Sequence, residues 1–404
     1  MTRPTQRKIV FLIADGMGGW PVDALGGQTT LAAARTPHMD ALARRGVTGT
    51  CRTVPQGMPP GSDVANMALF GFDPATHHTG RGPIEAAAQG LVLDPDDLVW
   101  RCNLVTVSEF SSAGLMRDYS SGHIATPAAH ALVKDLQENV MAETGGLFTL
   151  YPGVQYRHLL VQKGGAAAPE AVLAINPPHD ITDKPIADDM AAFAASERLA
   201  ALLFRAARRL AADANPTRAN AIWPWGQGRP LFLPDFQQAF GLKGAVVSAV
   251  DLVRGLGRAA GMEVIEVEGV TGLLDTNYAG KVAAAKAFLE DGGDYAYVHL
   301  EGPDEAGHGG DPHEKVEAIS RFDAQVVAPL VAAFPDAVFV ATCDHLTPIA
   351  IRTHASDPVP FTVAWPGATP NGAPCLTEAS AAATGLHIGT GHDLLPWVLA
   401  NATT

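Results

Sequence analysis

Three short apolar runs in this chain each break off near a group able to bind a metal ion. Ile9–Ala14 ends at Asp15, Tyr295–Leu300 ends just before Asp304, and Val338–Thr342 ends one residue before the pair Asp344-His345. Unbroken apolarity of this length predicts strands buried on both faces, as in a parallel sheet. In such a sheet the C-terminal strand ends share one edge, where groups distant in the chain converge. Helix-compatible stretches alternate with these runs, including 36–46, with a proline near its start and a glycine at its end. The expected class is therefore α/β with a mainly parallel sheet flanked by helices.

The converging groups set the chemistry. Asp304 and His308 are four residues apart, Asp344 and His345 are adjacent, and His354 follows them. Carboxylate with imidazole suits a divalent ion, and five such residues exceed the needs of one tetrahedral ion. With Asp15 added, the arithmetic favours two ions. Asp304 and His308 meet at one ion if their segment forms a helical turn, which the surrounding glycines leave open. Ser62 follows a Pro/Gly-rich stretch and precedes helix-compatible residues, so it is expected at a helix N-terminus. Capping is the commoner use of a serine there. The alternative is a nucleophile at an anion-binding helix start. Two cations about 4 Å apart polarise a phosphoryl group, and a serine hydroxyl needs such help to attack at neutral pH. Taken together, the residues read as phosphoryl transfer at a two-metal site with Ser62 as nucleophile.

Composition narrows the partners. A net charge of −14 over 404 residues argues against a nucleic-acid face, while local Arg and Lys can still grip a small phosphorylated substrate. The four cysteines, Cys51, Cys102, Cys343 and Cys375, show no CxxC spacing, the pattern of a reduced intracellular protein. No apolar stretch is long enough for a membrane span and no secretion signal is expected, so the expected compartment is the cytoplasm. Residues 108–185 change character, with strands expected at 147–151 and 158–162 and a helix over 127–141. They read as a smaller inserted α+β domain, leaving 1–107 and 186–404 as a discontinuous metal-binding core that includes a strand at Leu98–Val107. Further on, 187–213 reads as an Ala-rich helix with a solvated arginine face. Trp223-Pro224-Trp225 reads either as a rigid loop beside a ligand or as packing.

Longer motifs run in order along nearly the whole chain: DGMGGWP from Asp15, MPPGSDVANMALFGFDP around Ser62, TGRGPIEAA, RCNLVT, DYSSGHI, YRHLLV, WPWGQG, DTNY–GK, EGPDEAGHGGD, CDHLTPI and RTHASDPVPF. On these the chain resembles the cofactor-independent (2,3-bisphosphoglycerate-independent) phosphoglycerate mutases of archaeal type, in the alkaline phosphatase superfamily. The resemblance implies an alkaline-phosphatase-like core and an inserted substrate-capping domain. It implies interconversion of 3- and 2-phosphoglycerate through a transient phosphoserine at Ser62, with no 2,3-bisphosphoglycerate cofactor. Asp15, Ser62, Asp344 and His345 would surround one ion, and Asp304, His308 and His354 the other. Mn²⁺ is expected first, with Zn²⁺, Co²⁺ or Mg²⁺ as substitutes. By motif position His123, Arg157 and Lys281 are expected to bind substrate, with Arg81 and Arg101 as further candidates. The WPWGQG, DTNY–GK and RTHASDPVPF forms look most like a bacterial branch, some of which have been proposed to act as homoserine kinases. No Walker A motif is present for a nucleotide donor, which favours the mutase over that kinase. A metal-dependent phosphatase, with water as acceptor, is the other alternative.

Overall fold

Eight strands form the larger sheet, in the order His387–Ile388, Val47–Cys51, Val359–Ala364, Val338–Thr342, Ile9–Ala14, Tyr295–Leu300, Gly244–Val247 and Glu263–Val264. This computed structural model describes residues 7–212 and 215–402. Only Val359–Ala364 runs against the rest of that sheet. Ile9–Ala14 lies parallel between Val338–Thr342 and Tyr295–Leu300, the three runs singled out from the sequence. All three are buried along their whole length, as expected for strands covered by helices on both faces. Phe11 packs its ring 5.2 Å from Tyr295 and 6.2 Å from Tyr297, so truncating it to alanine would cost about 3–5 kcal/mol. The register pairs Ile13 with both Thr342 and His299, which sets the C-terminal ends of the three strands level.

The chain divides into two compact units. Residues through His78 together with Phe232 onward make the first, and Thr79–Leu231 make the second. The second is wider than the 108–185 expected from the sequence. The reason is the strand Leu98–Val107, which reads as part of the core from the sequence. It hydrogen-bonds instead to Arg157–Gln162 on one side and Ala221–Gly228 on the other, in an antiparallel five-stranded sheet. Trp223-Pro224-Trp225 is therefore strand rather than loop, and the pairing shifts register between Val99 and Arg101. Proline is tolerated where a ladder is locally disrupted. Trp223 is buried against Phe193, ring centroids 5.1 Å apart, and donates from Nε1 to the Asn176 carbonyl at 3.0 Å.

Other elements fall close to expectation. The 36–46 helix is Pro37–Arg45. The 127–141 stretch is an α-helix, Thr126–Leu136, that widens into a π-turn at Gln137–Met141. The 187–213 stretch is two helices, Ala187–Ala194 and Glu197–Leu210, split at the capping Ser196. Its arginines are not simply solvated. Arg198 pairs with the buried Glu170 at 2.6 Å, Arg209 with Asp135 at 2.6 Å and Arg205 with Glu143 at 3.0 Å.

Candidate active site

The first unit gathers its acidic and imidazole side chains at the C-terminal edge of the parallel strands. The ladder continues one step past Ala14, because the Asp15 N–H donates to the Leu300 carbonyl at 2.8 Å. Gly16 then turns the chain at φ +59°, where a Cβ would run into Thr347 and the Asp304 carboxylate. Glycine serves both needs there. Residues Gly302–Gly309 form a helix, so Asp304 and His308, four apart, share one face. That answers the question the glycines leave open in the sequence.

Around His345 Nε2 lie Ser62 Oγ at 3.1 Å, Asp344 Oδ2 at 3.4 Å and Asp15 Oδ1 at 3.5 Å. Ser62 is the first residue of the helix Ser62–Leu69, behind the cap position Gly61, and no side-chain capping bond is made among the described residues. Its hydroxyl faces the acidic group instead. A second group forms beside it. His308 Nε2 lies 3.2 Å from Asp304 Oδ2 and 3.0 Å from His354 Nε2, and His354 Nε2 lies 3.5 Å from Asp304 Oδ1. The rings of His345 and His354 are 3.9 Å apart, so the two groups adjoin. A third set shares Asp15 and Asp344 with the buried His299, whose Nε2 lies 3.3 Å from Asp15 Oδ2.

The electrostatics fit divalent cations. Burial, then the charges of Asp344 and Asp304, push the Asp15 carboxyl well above its ordinary range. Asp15 Oδ1 and His299 Nε2 are buried with no hydrogen-bond partner among the described residues. Buried polar atoms are rarely left so, and a site for a bound ion is one of the few reasons for it. Burial also opposes the charge of Asp304, yet hydrogen bonds from His308 and His354 hold it well below the usual range. His308 is pushed up to about 9 by its bond to Asp304. A proton in that position is what cation binding displaces. The His308 tautomer is set from behind: Nδ1 donates to the Arg352 carbonyl at 2.9 Å, which leaves Nε2 facing Asp304 and His354. Lys315 is fully buried and donates to the carbonyls of Gly18 at 3.0 Å and Thr347 at 2.6 Å, clamping the loop after Asp15 to the loop after His345.

The profile of 2,3-bisphosphoglycerate-independent phosphoglycerate mutase matches residues 43–215. A Geobacter sulfurreducens protein named "Probable 2,3-bisphosphoglycerate-independent phosphoglycerate mutase" is 45% identical, over 97% of this chain and 99% of its own. The chain belongs to this mutase family. The mutase of Methanothrix thermoacetophila is 43% identical over 97% of this chain and 100% of its own. Among solved structures, a Pyrococcus horikoshii protein superposes with a TM-score of 0.80 at 28% identity, covering 98% of this chain and 97% of its own. The cofactor-independent phosphoglycerate mutase of Thermoplasma acidophilum superposes at 0.66 with 25% identity, covering 98% and 99%.

Within this mutase chain, every residue expected near a metal falls in one of the two adjoining groups. The residues expected to bind substrate divide between the two units. Lys281, in the first unit, is buried and donates from Nζ to the His299 carbonyl at 2.9 Å. His123, Arg157, Arg81 and Arg101 belong to the second unit. His123, Arg157 and Arg81 are exposed, whereas Arg101 is buried, with its guanidinium 4.4 Å over the Trp225 ring and Nε 3.0 Å from Glu85. Sequence reasoning missed His299 and Thr347. Thr347 donates to Asp304 and lies 3.3 Å from His345 Nδ1, so it touches a residue of each group. The available signals were an imidazole inside an otherwise apolar strand and a threonine two residues past His345.

Proposed function

We propose that this chain interconverts 3-phosphoglycerate and 2-phosphoglycerate without added 2,3-bisphosphoglycerate, through a phosphoserine at Ser62. The observation that carries this reading is the Ser62 hydroxyl, turned from its own helix and 3.1 Å from His345 Nε2. Asp15, Ser62, Asp344 and His345 would hold one divalent cation, and Asp304, His308 and His354 the other, with Mn²⁺ the first candidate. Bound there, the ions would neutralise phosphoryl oxygens and lower the pKa of the serine hydroxyl.

The residues then divide the work. Ser62 Oγ gives up its proton and attacks phosphorus; the bond from phosphorus to the 3-oxygen of glycerate breaks, and that oxygen takes a proton. Glycerate then presents its 2-hydroxyl, which loses its proton and attacks the same phosphorus while Ser62 Oγ leaves and is reprotonated. The start of the helix Ser62–Leu69 supports a phosphate on Ser62, since first-turn N–H groups lack helical acceptors and suit anions.

His123, Arg157, Arg81 and Arg101 of the second unit, Thr79–Leu231, are proposed to bind substrate, and so is Lys281 of the first unit. Backbone strain supports His123. Ser121, Gly122 and His123 all take left-handed conformations, φ +52°, +75° and +51°, and such strain clusters at ligand-binding sites. Asp118 holds this turn by accepting from the N–H groups of Ser120 at 2.8 Å and Gly122 at 2.6 Å. Arginine suits a paired grip on carboxylate or phosphate. A cytoplasmic setting is also proposed, supported by four cysteines that are all unpaired. No helix among the described residues is long and apolar enough to cross a membrane.

The test is a side-by-side assay of the Mn²⁺-loaded protein. 3-Phosphoglycerate should yield 2-phosphoglycerate with no bisphosphoglycerate added, while homoserine with ATP should yield no O-phosphohomoserine. The opposite pattern would make the chain a kinase of the same fold. Phosphate release outrunning isomerisation would make it a phosphatase.

A further inference from the structure

Asn66 sits one helical turn after Ser62, fully buried, and its side chain makes three hydrogen bonds. Nδ2 donates to the Ser62 carbonyl at 2.8 Å and to Asp344 Oδ2 at 2.8 Å. Oδ1 accepts from the Tyr297 hydroxyl at 2.5 Å. A carbonyl and a carboxylate can only accept, so the orientation of the amide is fixed by its partners. The other oxygen of Asp344 is already taken, by the N–H groups of Gly16 at 3.1 Å and His345 at 2.9 Å. Asp344 is thus held by three donors, and the third is Asn66.

One planar amide therefore joins the first turn of the Ser62 helix to a carboxylate of the acidic group. Tyr297 pins that amide from the strand Tyr295–Leu300 and is itself fixed edge-on against Phe70, centroids 4.5 Å apart. We infer that Asn66 is a positioning residue that sets the separation between Ser62 and Asp344, with Tyr297 as its support. The inference rests on the reading of Ser62 as nucleophile and adds two residues to that machinery. Asn66 reaches the reaction only through Ser62 and Asp344. Its loss should therefore act on the chemical step and on cation affinity, because small misplacements of reacting groups are expensive and outer-shell partners orient metal ligands.

The experiment compares full-length wild type, Asn66→Ala, Tyr297→Phe and the double variant. Three quantities are read: kcat and KM for 3-phosphoglycerate, the Mn²⁺ dissociation constant by electron paramagnetic resonance titration, and the melting temperature without metal. Asn66→Ala should lower kcat and weaken Mn²⁺ binding, each by about 10–100-fold, with KM within about twofold. Tyr297→Phe is close to isosteric and should show the same split in weaker form. Its effect should vanish on top of Asn66→Ala, because the two act through one amide. Melting shifts with kcat and Mn²⁺ affinity unchanged would overturn the inference, as would additive effects of the two substitutions. If Asn66→Ala does not fold, an unaltered kcat and Mn²⁺ affinity in Tyr297→Phe overturns it alone. If wild type fails to isomerise 3-phosphoglycerate, the mutase reading fails instead, and the Mn²⁺ titration of the variants still decides the role of Asn66.

Discussion

Ser62 Oγ and His345 Nε2 lie 3.1 Å apart although 283 positions separate them in the chain. Among the described residues the hydroxyl bonds to His345 rather than to its own helix, so its removal takes away chemistry and little of the fold. Ser62→Ala should lose at least about a thousandfold in turnover, the scale seen when a nucleophile is deleted. Its stability should fall by no more than about 0.5–1.5 kcal/mol, the scale of the one hydrogen bond to His345 that is lost. Intact-mass spectrometry after exposure to 3-phosphoglycerate should find one phosphoryl group on wild type and none on the variant. A variant that still turns over at the wild-type rate would remove the serine from the mechanism.

The buried carboxylates make a second prediction. Asp15, Asp304 and Asp344 lie close enough for Asp344 and Asp304 to push the Asp15 carboxyl upward, and Asp15 Oδ1 has no hydrogen-bond partner among the described residues. Divalent ions should therefore stabilise the fold as well as support turnover. Free Mn²⁺ at about a hundred times its dissociation constant adds about 2.7 kcal/mol per site. For a unit of this size that raises the melting temperature by about 5–10 °C. Chelation should reverse the gain, and Asp344→Asn should weaken Mn²⁺ binding and activity together. Melting curves that ignore both chelator and Mn²⁺ would contradict a cation site here.

Much of this site is legible in the sequence for one physical reason. A strand buried on both faces carries almost no polar residues, so its end is marked by the first charged one, as at Asp15 and Asp344. His299 escapes the same reasoning because it lies inside such a strand, where an imidazole reads as one more buried side chain. Its nearness to Asp15 follows from the pairing of Ile13 with His299, which only the assembled sheet shows. Leu98–Val107 shows the opposite failure. It too reads as a strand of the core, yet the sheet it joins is set by bonds to Arg157–Gln162 and Ala221–Gly228, far along the chain. Trp223-Pro224-Trp225 reads equally as a rigid loop beside a ligand or as packing, and it is packed strand beside a register shift, where proline is tolerated. Asn66 was invisible as well, since a buried asparagine on a helix declares nothing until its three partners are known.

His308 and Arg352 supply a prediction about orientation. The Arg352 carbonyl accepts from His308 Nδ1 at 2.9 Å, and Arg352 holds a left-handed φ of +52°. Non-glycine residues pay for that conformation, and β-branched ones pay most. Arg352→Gly should adopt the turn without strain, with Mn²⁺ affinity close to wild type. Arg352→Val should cost about 1–3 kcal/mol and displace the carbonyl that fixes the His308 tautomer. Mn²⁺ titration of the two variants separates them. Equal affinity in both would show that this carbonyl does not orient His308.

Acid sensitivity of the second unit should come in large part from His158. Its Nδ1 accepts from the Gly153 N–H at 3.0 Å, so the neutral ring carries its proton on the buried Nε2. Burial, helped by the charge of His130, pushes its pKa down to about 3. In the unfolded chain the ring titrates near its ordinary value of about 6.5. Between those values the unfolded chain binds a proton that the native ring refuses. Stability from this group is therefore complete above about pH 6.5 and declines as pH falls, by up to about 1.4 kcal/mol per pH unit. Glu170 acts with the same sign in a lower window, because bonds from Arg198 and Ser196 hold it down to about 2 against an ordinary 4.5. Urea unfolding between pH 7 and about pH 5, above that window, followed by the buried Trp100 and Trp223, separates the histidine from Glu170. Wild type should lose stability across this range, and His158→Gln, which cannot titrate, should lose distinctly less whatever its stability at pH 7. Parallel profiles for the two proteins would show that the ring is not held neutral by its burial.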